Sequence, residues 1–121
     1  MAKTSSGTVA VVDDDPAVLD SLKFLLEVTG HRVAIYASAA EFLQGQAGQL
    51  SCLILDHQMP RMTGLELVAR LRNDGVSIPI LLISGSLSQA IVARAAELGI
   101  EKVLEKPLND DDLVNFVSAF D

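Results

Sequence analysis

Five side chains able to do chemistry stand at the same kind of place in this sequence. Asp13, Asp14, Asp56, Ser84 and Lys106 each follow a short, mostly apolar run. Thr8-Val-Ala-Val-Val12 runs into three aspartates, Cys52-Leu-Ile-Leu55 into Asp56, Pro79-Ile-Leu-Leu-Ile83 into Ser84, and residues 102–105 into Lys106. Three converging carboxylates against one ammonium leave two negative charges in excess. Acids packed that closely repel, and one stays protonated unless a cation neutralises it. A hard dication with oxygen ligands meets that need. Magnesium is favoured over calcium because few protein oxygens are on offer, which leaves room for waters and a phosphate. Zinc fits poorly, since His31 and His57 are not paired at ligand spacing.

A carboxylate beside Mg²⁺ can attack a phosphoryl group and form an acyl phosphate. Such chemistry needs positioning and charge neutralisation more than acid–base groups. Lys106 would supply positive charge, and the Ser84 hydroxyl could donate to a phosphoryl oxygen. A nucleotide-binding P-loop is excluded: no Gly-x-x-x-x-Gly-Lys-Ser/Thr motif is present, and acids stand after the first apolar run where such a loop would be. Asp15 is set apart from the other acids, because Pro16 follows it, and the pair reads as a helix N-cap and first helical residue.

The elements that must position these groups alternate along the whole chain. Strands are expected over 8–12, 32–36, 52–55, 79–83 and, weakly, 102–105. Between them, apolar residues recur at helical spacing: Val18, Leu22, Leu25 and Leu26 up to Gly30; Phe42 and Leu43 after a Ser38–Glu41 capping box; Leu67, Val68 and Leu71 after Thr63; residues 88–98 up to Gly99; and Leu113, Phe116, Val117 and Phe120 after Asn109. This (βα)₅ order implies an α/β fold, a doubly wound parallel five-stranded sheet with helices on both faces. Ligands of such sheets bind outside the carboxyl ends of the strands, which is where the five groups lie.

Composition bounds the rest. The chain has 121 residues, 50% of them hydrophobic, and a net charge of −7. That is one domain, expected over 8–121 behind a flexible segment 1–7, with too little positive charge to bind nucleic acid directly. No apolar run approaches the roughly 20 residues of a membrane span, and no secretory signal is visible at the start. The lone Cys52 fits a reducing, cytoplasmic setting and a buried position in a strand.

Val12-Asp-Asp-Asp-Pro16, Leu53-Ile-Leu-Asp56-His-Gln-Met-Pro60-Arg-Met-Thr-Gly64-Leu-Glu-Leu67, Ile83-Ser84 and Glu105-Lys106-Pro107 together resemble the receiver domain of two-component response regulators. The likeness runs over about residues 8–120. In local style it is most similar to receivers of nitrogen-fixation and LuxR-type regulators. The resemblance implies a flavodoxin-like strand order 2-1-3-4-5 and a role for each site residue. Asp56 would accept a phosphoryl group from a sensor histidine kinase or histidine phosphotransfer protein. Asp14 would bind Mg²⁺ directly, Asp13 through water, with Asp56 and the Gln58 backbone carbonyl as further ligands. Ser84 would be the switch hydroxyl and Lys106 the phosphate-contacting lysine, joined to Pro107 by a cis bond. The domain would be no enzyme beyond its own phosphotransfer and dephosphorylation. Its output face, formed by the fourth helix, fifth strand and fifth helix, would support a homodimer, with Leu87, Ile91, Val92 and Val103 as candidate exposed apolar groups.

The sequence departs from the family pattern twice. Val103 stands where a switching aromatic ring is usual, and Gly85-Ser86 follows Ser84 where alanine is common. Coupling of the switch to the last strand is therefore expected to be weakened. His57 reads as a solvent-facing loop histidine, Asp110-Asp-Asp112 as complement to a helix N-terminus, and Lys102 as a surface charge. Two other functions compete. A haloacid-dehalogenase-like phosphatase would use Asp13 as nucleophile with Ser84, Lys106 and Asp111-Asp112, but Ala17 stands where its motif needs Thr or Val, and Asp56 is left unused. A phosphorylation-silent interaction module would not need the full acidic set. The chain could be a stand-alone receiver or a fragment of a DNA-binding regulator.

Overall fold

The computed structural model describes residues 7–45 and 49–121. Most of the expected flexible segment 1–7, and residues 46–48 of the loop expected over 44–49, lie outside the described residues. Ten elements alternate: β1 (Thr8–Val12), α1 (Pro16–Val28), β2 (Val33–Tyr36), α2 (Ala39–Gly45), β3 (Leu50–Asp56), α3 (Gly64–Asn73), β4 (Ile80–Ser84), α4 (Gln89–Glu97), β5 (Lys102–Glu105) and α5 (Asp110–Phe120). The strands form one sheet in the order β2-β1-β3-β4-β5, all neighbours parallel. Both the fold class and the strand order match expectation.

Side-chain alternation along the three inner strands divides the core in two. Val9, Val11, Cys52, Ile54, Leu81 and Ile83 pack with Leu19, Leu22 and Leu26 of α1 and Leu113, Phe116 and Val117 of α5. Ala10, Val12, Leu53, Leu55, Ile80 and Leu82 face the other way, onto Phe42 of α2 and Leu67, Val68 and Leu71 of α3. Strands covered on both faces have no polar side to show, so they read as unbroken apolar runs.

Local signals fix the helix ends. Asp15 caps α1, its Oδ1 accepting the Ala17 N–H at 3.0 Å. Thr63 and Glu66 exchange side-chain and backbone bonds in a capping box that starts α3. At α2 the box is displaced: Ser38 Oγ accepts from Glu41 N–H, but the Glu41 carboxylate takes the Ala37 N–H instead of the Ser38 N–H. Gly30 (φ 100°) and Gly99 (φ 69°) follow α1 and α4 in a conformation that side chains disfavour.

Three boundaries differ from the sequence reading. β3 begins two residues earlier than expected and takes in Asp56, and β4 takes in Ser84, because backbone pairing continues one residue past the apolar run: Asp56 pairs with Ile83 and Ser84 with Glu105. Arg32 lies before β2. Cys52 is fully buried, as expected, and burial pushes its thiol up to about 12. Of the four candidates for an exposed output patch, only Val92 is exposed; Leu87, Ile91 and Val103 are half-buried, the last two against the α2–α3 side of the core.

Candidate functional site

Register brings the acids together. Val12 pairs with Leu55, so the residues after them, Asp13 and Asp56, leave adjacent strands at the same level. One carboxylate oxygen from each of Asp13, Asp14 and Asp56 lies within 4.8 Å of the other two. Asp13 and Asp56 are buried, whereas Asp14 is exposed at the rim. The Lys106 ammonium stands 3.5 Å from Asp56 Oδ1, following a cis Lys106–Pro107 bond. Gly64 opens α3 directly beneath the site: a Cβ there would stand 2.7 Å from the Asp56 carbonyl oxygen and 2.9 Å from His57 Cα, so only glycine lets α3 start this close to β3.

Electrostatics follow from that crowding. Burial pushes the Asp13 carboxyl up to about 6; the Asp15 N–H, which Asp13 Oδ1 accepts at 2.9 Å, opposes the shift, and the Asp56 charge adds to it. Burial likewise raises Asp56 above the usual carboxylate range, with Lys106 only partly offsetting it. Asp56 Oδ1 is a buried acceptor that receives no hydrogen bond, since 3.5 Å is long for a charge-assisted bond to Lys106. A buried unsatisfied oxygen costs free energy unless something binds it. An all-oxygen, over-charged cluster with an unused acceptor fits a hard divalent cation of the Mg²⁺ type.

Ser84 is fully buried and its hydroxyl is fully engaged elsewhere. It accepts from Gln58 Nε2 at 2.7 Å and from Ser86 N–H at 3.2 Å, and donates to the Ser86 carbonyl at 3.0 Å. The structure thus brings Asp13, Asp14, Asp56 and Lys106 together and ties the Ser84 hydroxyl to the loop that follows it. The resemblance implies a role for Gln58 through its backbone carbonyl; the bonds of its side chain to Ser84 and, through Oε1, to Gly85 N–H at 2.9 Å join loops far apart in sequence and are not legible there. His57 corrects a second expectation. It is half-buried instead of solvent-facing, its Nδ1 accepts the Leu65 N–H at 3.3 Å, and burial lowers its basicity. Asp111 and Asp112 lie exposed on α5 and are not among the carboxylates that cluster within 4.8 Å.

The family model for the response regulator receiver domain matches residues 9–118. The chain belongs to that family. Receiver domains generally carry phosphate on an aspartate, bind Mg²⁺ at an acidic pocket and are phosphorylated by histidine kinases. This receiver is 35% identical over 117 residues to the transcriptional regulatory protein FixJ of Bradyrhizobium diazoefficiens, covering 96% of this chain and 57% of that one. It is 39% identical over 111 residues to the response regulator protein TmoT of Ectopseudomonas mendocina, covering 90% and 50%. The crystal structure of FixJ-N superposes with a TM-score of 0.85 at 30% identity, over 95% of this chain and 93% of that one. The receiver spans about half the length of the curated relatives it matches. Among the described residues, no helix is long and apolar enough to cross a membrane.

Proposed function

We propose that Asp56 is the phosphoacceptor and that its phosphorylation switches a protein-interaction surface. The observation that carries this reading is Asp56 Oδ1, buried without a hydrogen bond, 3.5 Å from Lys106 and inside the carboxylate cluster. Asp13, Asp14, Asp56 and the Gln58 backbone carbonyl would hold Mg²⁺, which when bound supplies positive charge for the developing phosphoryl oxygens. Asp56 attacks phosphorus, an O–P bond forms, and the N–P bond of a phosphohistidine donor breaks, the electron pair leaving on the imidazole. Lys106 holds its charge toward the transferred group. Ser84 would then donate to a phosphoryl oxygen, and the modified carboxylate shifts the population toward that closed state. In this reading its chemistry is its own phosphotransfer and dephosphorylation.

An open, mostly apolar groove between α1 and α5, lined by Ala17, Val18, Leu22, Pro107, Leu108 and Leu113, reaches Lys106 and would receive the histidine-bearing helix of a kinase or phosphotransfer partner, in the cytoplasm. The half-buried Val103 carries no ring, so the link from the β4–α4 loop to β5 would rest on Glu105, whose carboxylate accepts the Leu87 N–H at 3.3 Å. The α4–β5–α5 face, with Val92 exposed on it, would serve a homodimer. Relatives of twice the length, named as transcriptional regulators, support an output on transcription through a further domain or partner. A phosphatase using Asp13 is less well supported, since Asp13 Oδ1 is occupied by Asp15 N–H and Asp111-Asp112 are not among the clustered carboxylates.

The test is intact mass after incubation with a small-molecule phosphoryl donor and Mg²⁺. One added phosphoryl group, lost in Asp56→Asn and with chelator, supports the proposal. An adduct that survives in Asp56→Asn but not in Asp13→Asn supports the phosphatase, and no adduct at all supports a silent interaction module.

A further inference from the structure

We infer that the Gln58 side chain is a latch that keeps Ser84 from reaching a phosphoryl group, and so sets how readily this domain switches. The inference rests on the reading of Asp56 as phosphoacceptor. Gly85 N–H can only donate, so the Gln58 atom facing it at 2.9 Å is the carbonyl Oε1. That fixes the orientation of the carboxamide and turns its NH₂ toward Ser84 Oγ, 2.7 Å away. An NH₂ can only donate, so Ser84 Oγ accepts there. It accepts again from Ser86 N–H at 3.2 Å, and its single proton goes to the Ser86 carbonyl at 3.0 Å. One proton and two lone pairs are all a hydroxyl has, and each is in use.

The Ser84 proton is held by the Ser86 carbonyl, and the bond from Gln58 fixes the oxygen in the position that aims it there, so turning the hydroxyl toward a phosphoryl oxygen on Asp56 means giving up the Gln58 bond. Because Ser84 is fully buried, giving up these bonds without replacement leaves polar atoms unsatisfied. The latch joins the loop after β3 to the loop after β4: Gln58 lies two residues after Asp56 and grips Ser84 and Gly85 across 26 and 27 positions of sequence. Gln58 is thus a positioning residue, acting through Ser84 and not on the reacting atoms. Its backbone carbonyl is untouched by side-chain substitution.

The test uses Gln58→Met, an uncharged substitution of similar length, with beryllofluoride plus Mg²⁺ as the phosphoryl mimic. Removing the latch should tighten mimic binding about tenfold, the equivalent of roughly one to two hydrogen bonds. In the free protein, hydrogen exchange at the Gly85 amide should rise by a similar factor. In a Ser84→Ala background, Gln58→Met should lose most of its effect on the mimic, which a general loosening of the fold would not do. Unchanged mimic affinity in Gln58→Met, or the full gain persisting in Ser84→Ala, would overturn the latch while leaving the Asp56 reading intact. Failure of the wild-type protein to bind the mimic would overturn the Asp56 reading, and the latch with it.

Discussion

Acidity should govern metal affinity in this domain, with Asp13 in control. Asp13 is buried and its carboxyl is pushed up to about 6, so a proton and a divalent cation compete for it within an accessible range. With that value, about nine-tenths of Asp13 is ionised at pH 7 and about one-tenth at pH 5, so Mg²⁺ should bind about tenfold more weakly at the lower pH. Asp56 is raised as well, which makes the fall steeper, not shallower. Titration calorimetry at pH 7, 6 and 5, in buffers of different ionisation enthalpy, would give both the affinity and the protons released. Near pH 6 release should approach half a proton or more, and Asp13→Asn should abolish Asp13's share. The same shift makes an opposite statement about stability without metal. A carboxyl raised from 3.8 to about 6 stabilises the fold most below the lower value, and that contribution is lost as pH rises through the higher one, at a cost of up to about 3 kcal/mol. Saturating Mg²⁺ should remove that decline. An affinity constant within twofold from pH 7 to pH 5 would refute the reasoning.

Other expectations concern the backbone around the site. Arg61 holds φ at 70°, a left-handed conformation that costs a side chain about 1 kcal/mol, so Arg61→Gly should raise the urea midpoint with the slope unchanged. Gly64→Ala should lower stability by about 2 kcal/mol or more, since the new Cβ meets backbone at 2.7 and 2.9 Å; a neutral result by thermal unfolding would mean α3 can slide away from β3. Arg72 donates to the carbonyls of Val76, Ile78, Leu98 and Gly99, and Arg72→Met, which keeps the stem and strands these acceptors, should cost about 2–3 kcal/mol by denaturant unfolding.

What the sequence made legible was whatever is written in neighbouring residues. Apolar runs ending in acids located the strands and the edge where the site lies, because burial on both faces leaves a continuous signature, and Asp15-Pro16 and Thr63–Glu66 announced helix starts by their own chemistry. Strand ends were off by one at Asp56 and Ser84, since hydropathy stops where polarity begins while pairing carries on. Contacts between distant loops were invisible. Gln58 is marked by its place just after Asp56, but the reach of its side chain to Ser84 shows only when the loops after β3 and β4 are brought side by side, and His57 looks exposed until α3 is seen to offer it the Leu65 N–H. Arg72 gives the same lesson: on the sequence it is a helix-surface cation, yet its guanidinium reaches carbonyls up to 27 residues away.

That reach by Arg72 shapes how α4 can respond. Its guanidinium rivets the carboxyl end of α4, through Leu98 and Gly99, to the end of α3 and the segment leading into β4. The amino end, at Ser88, is joined to the strand edge by the short stretch that begins at Ser84, which Gln58 holds at Gly85 and Glu105 at Leu87. A rod fixed at one end and nudged at the other behaves as a lever with its fulcrum near Leu98. If phosphorylation of Asp56 moves Ser84, the swing would be widest at the near end of α4 and fade toward the buried Ala95, and the first two turns of that helix, where Val92 faces water, would be the surface that changes.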